Sequence, residues 1–466
     1  MKKNISYLII IAVFAIASCK VGPNYKRPVL SNPDAFLNDS LKGDTVVYDS
    51  IYNDSLMNLV WWELFEDSSL QELIKKAVAN NKDYLIAISR IEEARASLGY
   101  TKADLYPAFG IKANAQSAKL NLLGSTDVIN AFSISPTMSW EIDFWGKIRR
   151  STEAARASLL ASEYGKQKIM TSLISEVIGT YFLLIDYKSR HEIAIKTFNS
   201  RKEYLSIINA RYSQGTVPQI DLNHAQIQEA QAESAIYLYE RLLKQTEYTL
   251  SILLGQNPGE IAGTNKLKDQ IVPPDIPPGL PSQLLERRPD VREAEQLLAA
   301  QNARIGVAQA MRFPSISLTG LLGVGSGELS SLLSADAIIW SASASLLGPI
   351  FNFNKNKRRV EIERHRTQQM LLSYEQTVLT AFKEVDDALI AISTYKNELA
   401  ARQRQVTAAT NAAMLARARY DKGIASYLEV LESNRQLFDS ELNEAQTFDE
   451  YLFSYVKLYK ALGGGW

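Results

Sequence analysis

At 466 residues the chain is long enough for two or three ordinary domains, and its 46% hydrophobic and 22% charged content is that of a folded protein. With 51 basic and 51 acidic side chains the net charge is zero, which removes the bulk electrostatic footprint of a nucleic-acid binder. Three histidines and one cysteine leave little material for a zinc site or a thiol redox centre.

Lys2 and Lys3 precede a short apolar core from Tyr7 to Ile16, followed by Ala17-Ser18-Cys19. The core is too short to span a bilayer, so residues 1–18 read as a signal peptide. A lone cysteine just after small residues resembles the bacterial lipobox, in which the thiol is diacylated and becomes the new N-terminus. Two or more acyl chains make a stable anchor. Lys20, where an aspartate would favour the inner membrane, points outward. No later segment reaches 18 consecutive apolar residues, so a membrane crossing by the rest of the chain requires β-strands.

The chain repeats itself. Ala210-Arg211-Tyr212-Ser213-Gln214-Gly215 recurs as Ala418-Arg419-Tyr420-Asp421-Lys422-Gly423, an offset of 208. Lys147 and Arg150 lie over Lys355 and Arg358 at that offset, while Asp83 meets Asp290 and Pro107 meets Pro314 at 207. Residues 68–262 and 282–466 therefore read as two copies of one unit, after an extension at 19–67 and separated by a proline-rich linker at 263–281. Each copy holds a long run without proline, 151–214 and 355–422, about 95–100 Å if helical. Ile174, Val177, Ile178, Tyr181 and Ile185 form one apolar stripe at helical spacing. The expectation is that such stripes are buried only when several chains assemble. Each run breaks at a glycine, Gly215 or Gly423, and a second run returns over 219–254 or 424–462.

Ahead of each long run the texture changes. Ala108 to Ser117, Ile129 to Ile142, Ile316 to Val324 and Ile338 to Leu347 alternate small polar with apolar residues, as barrel strands with one lipid and one lumen face do. Four strands cannot close a barrel wide enough for transport, and an open edge is excluded from lipid. Three chains give twelve strands. The expected fold is mainly α with a small membrane β-barrel, a duplicated strand-strand-long helical hairpin unit.

At this point the chain resembles the TolC-like outer-membrane efflux proteins, in their lipoprotein branch. The residues carrying the likeness are Cys19-Lys20-Val21-Gly22-Pro23-Asn24-Tyr25 with Pro28, then Trp61-Trp62-Glu63 with Phe65. Leu284-Leu285-Glu286-Arg287-Arg288-Pro289-Asp290-Val291 and the Ala418-Arg419-Tyr420 turn with Gly423 and Tyr427-Leu428 complete it. The resemblance implies a homotrimer with a twelve-stranded barrel and a twelve-helix periplasmic coiled-coil tunnel. It implies passive export from an inner-membrane pump through a periplasmic adaptor protein, with no enzymatic activity and no cofactor beyond the lipid on Cys19. It also implies a resting gate: Leu428 in a constricting ring, Glu432 one turn deeper, Arg419 as a tether, and Gly215 and Gly423 at the turns that meet the adaptor. The first copy offers Arg211, Ile220 and Asn223-His224 at those places, with no matching acid.

Bland readings stand beside these. Arg287-Arg288-Pro289-Asp290 suits a helix start, with proline in the first turn and an acid at its positive end. Asp143-Phe144-Trp145-Gly146-Lys147 suits an interfacial aromatic belt or a packed corner. Arg419 and Glu432 also suit a solvated coiled-coil flank. A periplasmic adaptor lipoprotein is the alternative function, and an envelope enzyme the next. The whole-chain duplication speaks against the first. His191, His224 and His365, in helical runs without metal spacing, speak against the second.

Overall fold

A computed structural model describes residues 20–29, Leu37, 65–122, 125–273 and 285–464. Cys19, Trp61-Trp62-Glu63 and residues 274–284 lie outside the described residues. In chain order the elements are α1 (Ser68–Asn80), α2 (Lys82–Ala103), β1 (Ala108–Leu122), β2 (Ser125–Ile142), α3 (Lys147–Ser213), α4 (Gln219–Leu253), α5 (Pro289–Ala310), β3 (Ser315–Ser326), β4 (Ile338–Leu347), α6 (Lys355–Asp421) and α7 (Tyr427–Ala461). The duplication is plain: α3 and α6 each run 67 residues, and α4 and α7 each run 35. All four expected strands form. β1 continues to Leu122 rather than Ser117, and β2 begins at Ser125 rather than Ile129.

The chain divides into two compact units. The first takes residues 1–30, 89–164 and 293–376. Its centre is one antiparallel sheet in the order β1-β2-β3-β4. Pro136 sits inside β2, where a residue without an N–H breaks the ladder: β2 pairs with β3 up to Ile134, skips, and resumes at Thr137. The strap formed by residues 20–29 packs in this unit around a fully buried Arg150. The guanidinium donates to the carbonyl oxygens of Val21 at 3.1 Å and Gly22 at 2.8 Å, and to the Asn24 side chain at 3.0 Å. A buried cation is tolerable only when its donors are used in this way.

The second unit takes residues 31–88, 165–292 and 377–466. Here the α3 stripe finds its partners. Ile174, Val177, Ile178, Tyr181 and Ile185 are each at most 1% exposed, in one cluster with Phe65, Leu70, Ile74, Leu452, Tyr455 and Val456. This corrects the expectation that the stripe is covered only in an assembly: α1 and α7 of the same chain cover it. The stretch is also apolar and long enough by composition to cross a membrane, but it is the core of a helical unit.

Two polar hubs tie this unit together. Asp67 caps α1 by accepting from the Ser69 and Leu70 amides at 3.0 and 3.1 Å. Its other oxygen accepts from the Tyr181 hydroxyl at 2.7 Å and from Gln270 at 2.9 Å. Arg288 reads as more than a helix start. Its guanidinium forks to Asp290 at 2.7 and 3.0 Å, to Glu384 at 2.7 Å, and to the Ala461 carbonyl oxygen at 2.9 Å. Burial works against the Asp290 charge, but the Arg288 hydrogen bonds and charge hold its carboxyl below the usual range.

Candidate functional site

Pairing and alternation sort the sheet into two chemically different faces. One face carries Phe109 and Ile111, Phe132 and Ile134, Leu318 and Leu322, and Trp340 and Leu346 across the four strands. Trp340 is 75% exposed and Phe109 78%, far more apolar surface than a protein leaves to water without reason. The opposite face carries Lys112 and Asn114, Ser133 and Thr137, Ser317 and Thr319, and Ser343 and Ser345. Its hydroxyls pair across strands, Ser317 with Ser345 and Thr319 with Ser343, both at 2.7 Å. Among the described residues, the outer strands β1 and β4 each pair along one edge only. Such a sheet suits a wall between lipid and an aqueous lumen.

The aromatic motif after β2 is a packed corner. Asp143 accepts from the backbone amides of Ile148 at 3.0 Å and Arg149 at 2.8 Å, which caps the start of α3. Trp145 stacks on Phe313 at 4.4 Å and donates its indole N–H to the Pro314 carbonyl oxygen at 2.8 Å.

The hairpin turns have the same construction in both repeats. Gly215 and Gly423 take φ of 71° and 73°, and nothing lies within 4 Å of a Cβ placed on either. Left-handed backbone, rather than crowding, explains glycine there. The Gly215 and Thr216 amides donate back to Tyr212 and Arg211 at 2.9 and 3.0 Å, and the Gly423 and Ile424 amides to Tyr420 and Arg419, both at 2.9 Å.

Around these turns the structure brings together some of the expected residues and separates others. Arg419 meets Glu429 at 3.4 Å, across its own turn, rather than Glu432. Glu432 is held within α7 by Arg435 at 2.7 Å and Gln436 at 2.7 Å. Those hydrogen bonds, then the Arg435 charge, hold its carboxyl down at about 2, so it is ionised at any physiological pH. Leu428 is 65% exposed within one chain, and its first-repeat counterpart Ile220 is 59% exposed. Arg211 pairs with Asp421 at 3.5 Å, linking the two turns.

A tyrosine cluster escaped the reading of the sequence. Tyr204, Tyr420 and Tyr427 pack with Ile208 and Val430, and Tyr204 stacks on Tyr427 at 5.8 Å. Arg417 lies over Tyr204 at 5.3 Å, and Arg211 over Tyr420 at 5.2 Å. Burial, then the nearby Asp421 charge, pushes the Tyr204 hydroxyl up to about 12. The available signal was a tyrosine on each side of the second turn, Tyr420 and Tyr427.

Comparison with known proteins agrees with this geometry. The family model of the outer membrane efflux proteins matches residues 73–256 and again 280–464. The cation efflux system protein CusC of Escherichia coli O6:H1 is 33% identical over 458 residues, covering 97% of each chain. SilC of Salmonella typhimurium, a probable outer membrane lipoprotein, is 31% identical over 99% of each chain. The solved CmeC outer membrane channel of Campylobacter jejuni superposes with a TM-score of 0.88 at 27% identity, over 96% of this chain and 95% of that one. An adaptor is thereby set aside as the alternative. The duplicated hairpins, the two-faced sheet and these matches make one case: the chain belongs to the outer membrane efflux protein family, as an outer-membrane exit duct of an efflux system.

Proposed function

We propose that the duct is a homotrimer anchored by lipid on Cys19, with three sheets closed into one twelve-stranded barrel above a twelve-helix periplasmic tunnel. The observation that carries this reading is the sheet, apolar on one face, polar on the other and unpaired along β1 and β4. In lipid an unpaired edge is not tolerated, and four strands are too few to enclose a lumen. Three copies supply twelve, within the even range of such barrels. On this reading 1–18 is the signal, 19–67 the anchored extension, 68–262 and 282–466 the repeats, and 263–281 the linker. Lys20, next to Cys19, pairs with Glu153, and the Val21 amide donates to the Trp145 carbonyl oxygen at 3.2 Å. That supports an anchor beside the aromatic corner.

The gate is assigned to Arg419, Leu428 and Glu432, and the Gly215 and Gly423 turns to adaptor contact. Export is driven by an inner-membrane pump, and the duct itself has no catalytic role and carries no cofactor. The cation efflux in the name of CusC makes small cations the first cargo to test.

Purified full-length protein reconstituted into planar bilayers should give stable single-channel conductance. Folded protein that inserts and never conducts would overturn the proposed closed twelve-stranded barrel. Metabolic labelling with radioactive palmitate should mark wild type and not Cys19→Ala; equal labelling of both would remove the anchor.

A further inference from the structure

The repeat carries backbone register as well as sequence. β1 meets β2 with Ala108 opposite Ser139. Advanced by the two repeat offsets, 207 and 208, that pair becomes Ser315 opposite Leu347, the pairing found between β3 and β4. The same offsets define a pairing that one chain cannot make. Between the repeats, β2 meets β3 with Ile142 opposite Ile316. Carried forward by 208 and back by 207, these become Ile350 and Phe109, which sets Leu347 opposite Lys112 and Ile338 opposite Asn121. Those residues belong to β4 and β1, the two edge strands.

The corner beneath the β2–β3 seam extends the correspondence. Trp145 on Phe313 and Pro314 becomes Phe353 on Tyr106 and Pro107. Within one chain Phe353 is 84% exposed and Tyr106 63%. Asn354 holds a left-handed φ of 65°, near the 78° of Gly146 at the matching place, although Phe353 beside it is also left-handed at 48° where Trp145 is not. Arg150 lies across Gly306, where a Cβ would stand 2.8 Å from its Cγ, Cδ and Nε. The counterparts are Arg358 and Gly99. Gly99 is inside α2 with nothing among the described residues within 4 Å of an added Cβ, so they give no reason for a residue that helices disfavour.

We propose that β4 of one copy joins β1 of the next in this register, with Phe353 stacked on Tyr106 and Arg358 laid across Gly99 of that next copy. The inference rests on the trimeric reading and adds which residues meet at the seam. The faces agree at neighbouring pairs without having been used to set the register, although the same register sets Trp340 opposite Lys119 and Leu347 opposite Lys112. Leu346 meets Ala113 on the apolar side, and Ser345 meets Asn114 on the polar side. A slip of one residue would put Leu346 beside Lys112 and turn every side chain to the wrong face. All ten residues of β4 find partners within β1. Arg358 keeps the counterpart of the Arg150–Glu153 pair, Glu361 at 2.7 Å.

Oxidative cross-linking of the full chain in membranes reads the register. Ser345→Cys would be combined in turn with Asn114→Cys, Lys112→Cys and Gln116→Cys. Directly opposed residues fall within disulfide reach and diagonal ones do not, so the pair with position 114 should link roughly tenfold faster than either other. Fastest linking at 112 or 116 overturns the register. No linking at any of them, in protein that light scattering shows to be trimeric, overturns the seam. Monomeric protein would overturn the trimeric reading instead. Gly99→Leu tests the foot of the seam, because the open space around Gly99 lets the single chain fold. Its trimer should dissociate roughly tenfold more readily or worse; an unchanged trimer removes the Arg358 contact.

Discussion

The two corners where strand becomes long helix share a left-handed residue at matching places, Gly146 and Asn354, and differ in what lies beside them. At the first, Trp145 is stacked on Phe313, and Arg150 is wholly buried under the strap of residues 20–29. At the second, Phe353 and Arg358 repeat the spacing in the open, the Arg358 side chain 73% exposed. The first corner has the second repeat and the strap as neighbours; the second has come to the end of what one chain provides. A duplicated unit thus exposes at its far side the surface that its near side buries. In the proposed trimer, that exposed corner is the seam.

The largest effect that separates the corners is expected at the paired arginines. Arg150→Ala would orphan the Val21 and Gly22 carbonyls and leave Glu153 with Lys20 alone. That should cost about 3–5 kcal/mol, seen as a lower thermal midpoint and rapid proteolysis of the strap. Arg358→Ala removes an exposed pair and should change the stability of one chain by less than about 1 kcal/mol. Equal losses at the two positions would mean that the corners are alike and the strap is incidental.

The return helices offer a second contrast, of intermediate size. Asp449 on α7 is 8% exposed, while Arg241, its counterpart on α4, is exposed. Asp449 Oδ1 has no hydrogen-bond partner. Burial, then the charges of Asp186 and Glu450, pushes its carboxyl well above the usual range, against the weaker pull of Arg190 and Lys457. Asp186 is also raised, chiefly by burial, with Arg190 at 2.7 Å opposing. The folded chain therefore keeps a proton that the unfolded chain loses above about pH 4. Stability falls as pH rises through that window. Asp449→Asn should leave the thermal midpoint almost unchanged at pH 4 and raise it at pH 8, by about 1–3 kcal/mol of stability. A gain of the same size at both pH values would show that charge is not the cause.

Much of this architecture was readable before any coordinates, because it depends on local rules. Glycine at 215 and 423, the proline-free runs and the alternation over Ile338–Leu347 each report on a few neighbouring residues. The repeat then doubled every signal. What stayed hidden depends on distance along the chain. Asp67 meets Tyr181 and Gln270 across 114 and 203 positions, and no spacing rule connects them. The α3 stripe was readable as buried, but its cover, Leu452 and Tyr455 on α7, was not. At the turn the difference was smaller. Arg419 was expected as a tether, but no spacing rule named Glu429 as its partner.

The smallest effect per chain, and the one closest to function, is expected at those turns. The Arg419–Glu429 pair is half exposed on both sides, so it contributes only about 0.2–1 kcal/mol. Three copies acting on one opening bring this to about 0.6–3 kcal/mol, roughly a 3- to 150-fold shift in the resting population. Leu428, exposed in one chain, adds apolar contact wherever three copies converge. Arg419→Ala with Leu428→Gly should therefore leave the fold and the trimer intact while raising conductance and admitting large antibiotics such as vancomycin to cells. The first turn supplies a comparison, although its Arg211 also pairs with Asp421 of the second turn. Arg211 and Ile220 occupy the matching places and Asp221 stands where the second repeat has Glu429, but position 224 is histidine where the second repeat reads on to Glu432, so the counterpart of that carboxylate is missing. Arg211→Ala with Ile220→Gly should raise conductance less. If the two double variants conduct equally, the constriction is shared between the repeats. If neither exceeds wild type, it is built from other residues and the assignment of Arg419, Leu428 and Glu432 fails.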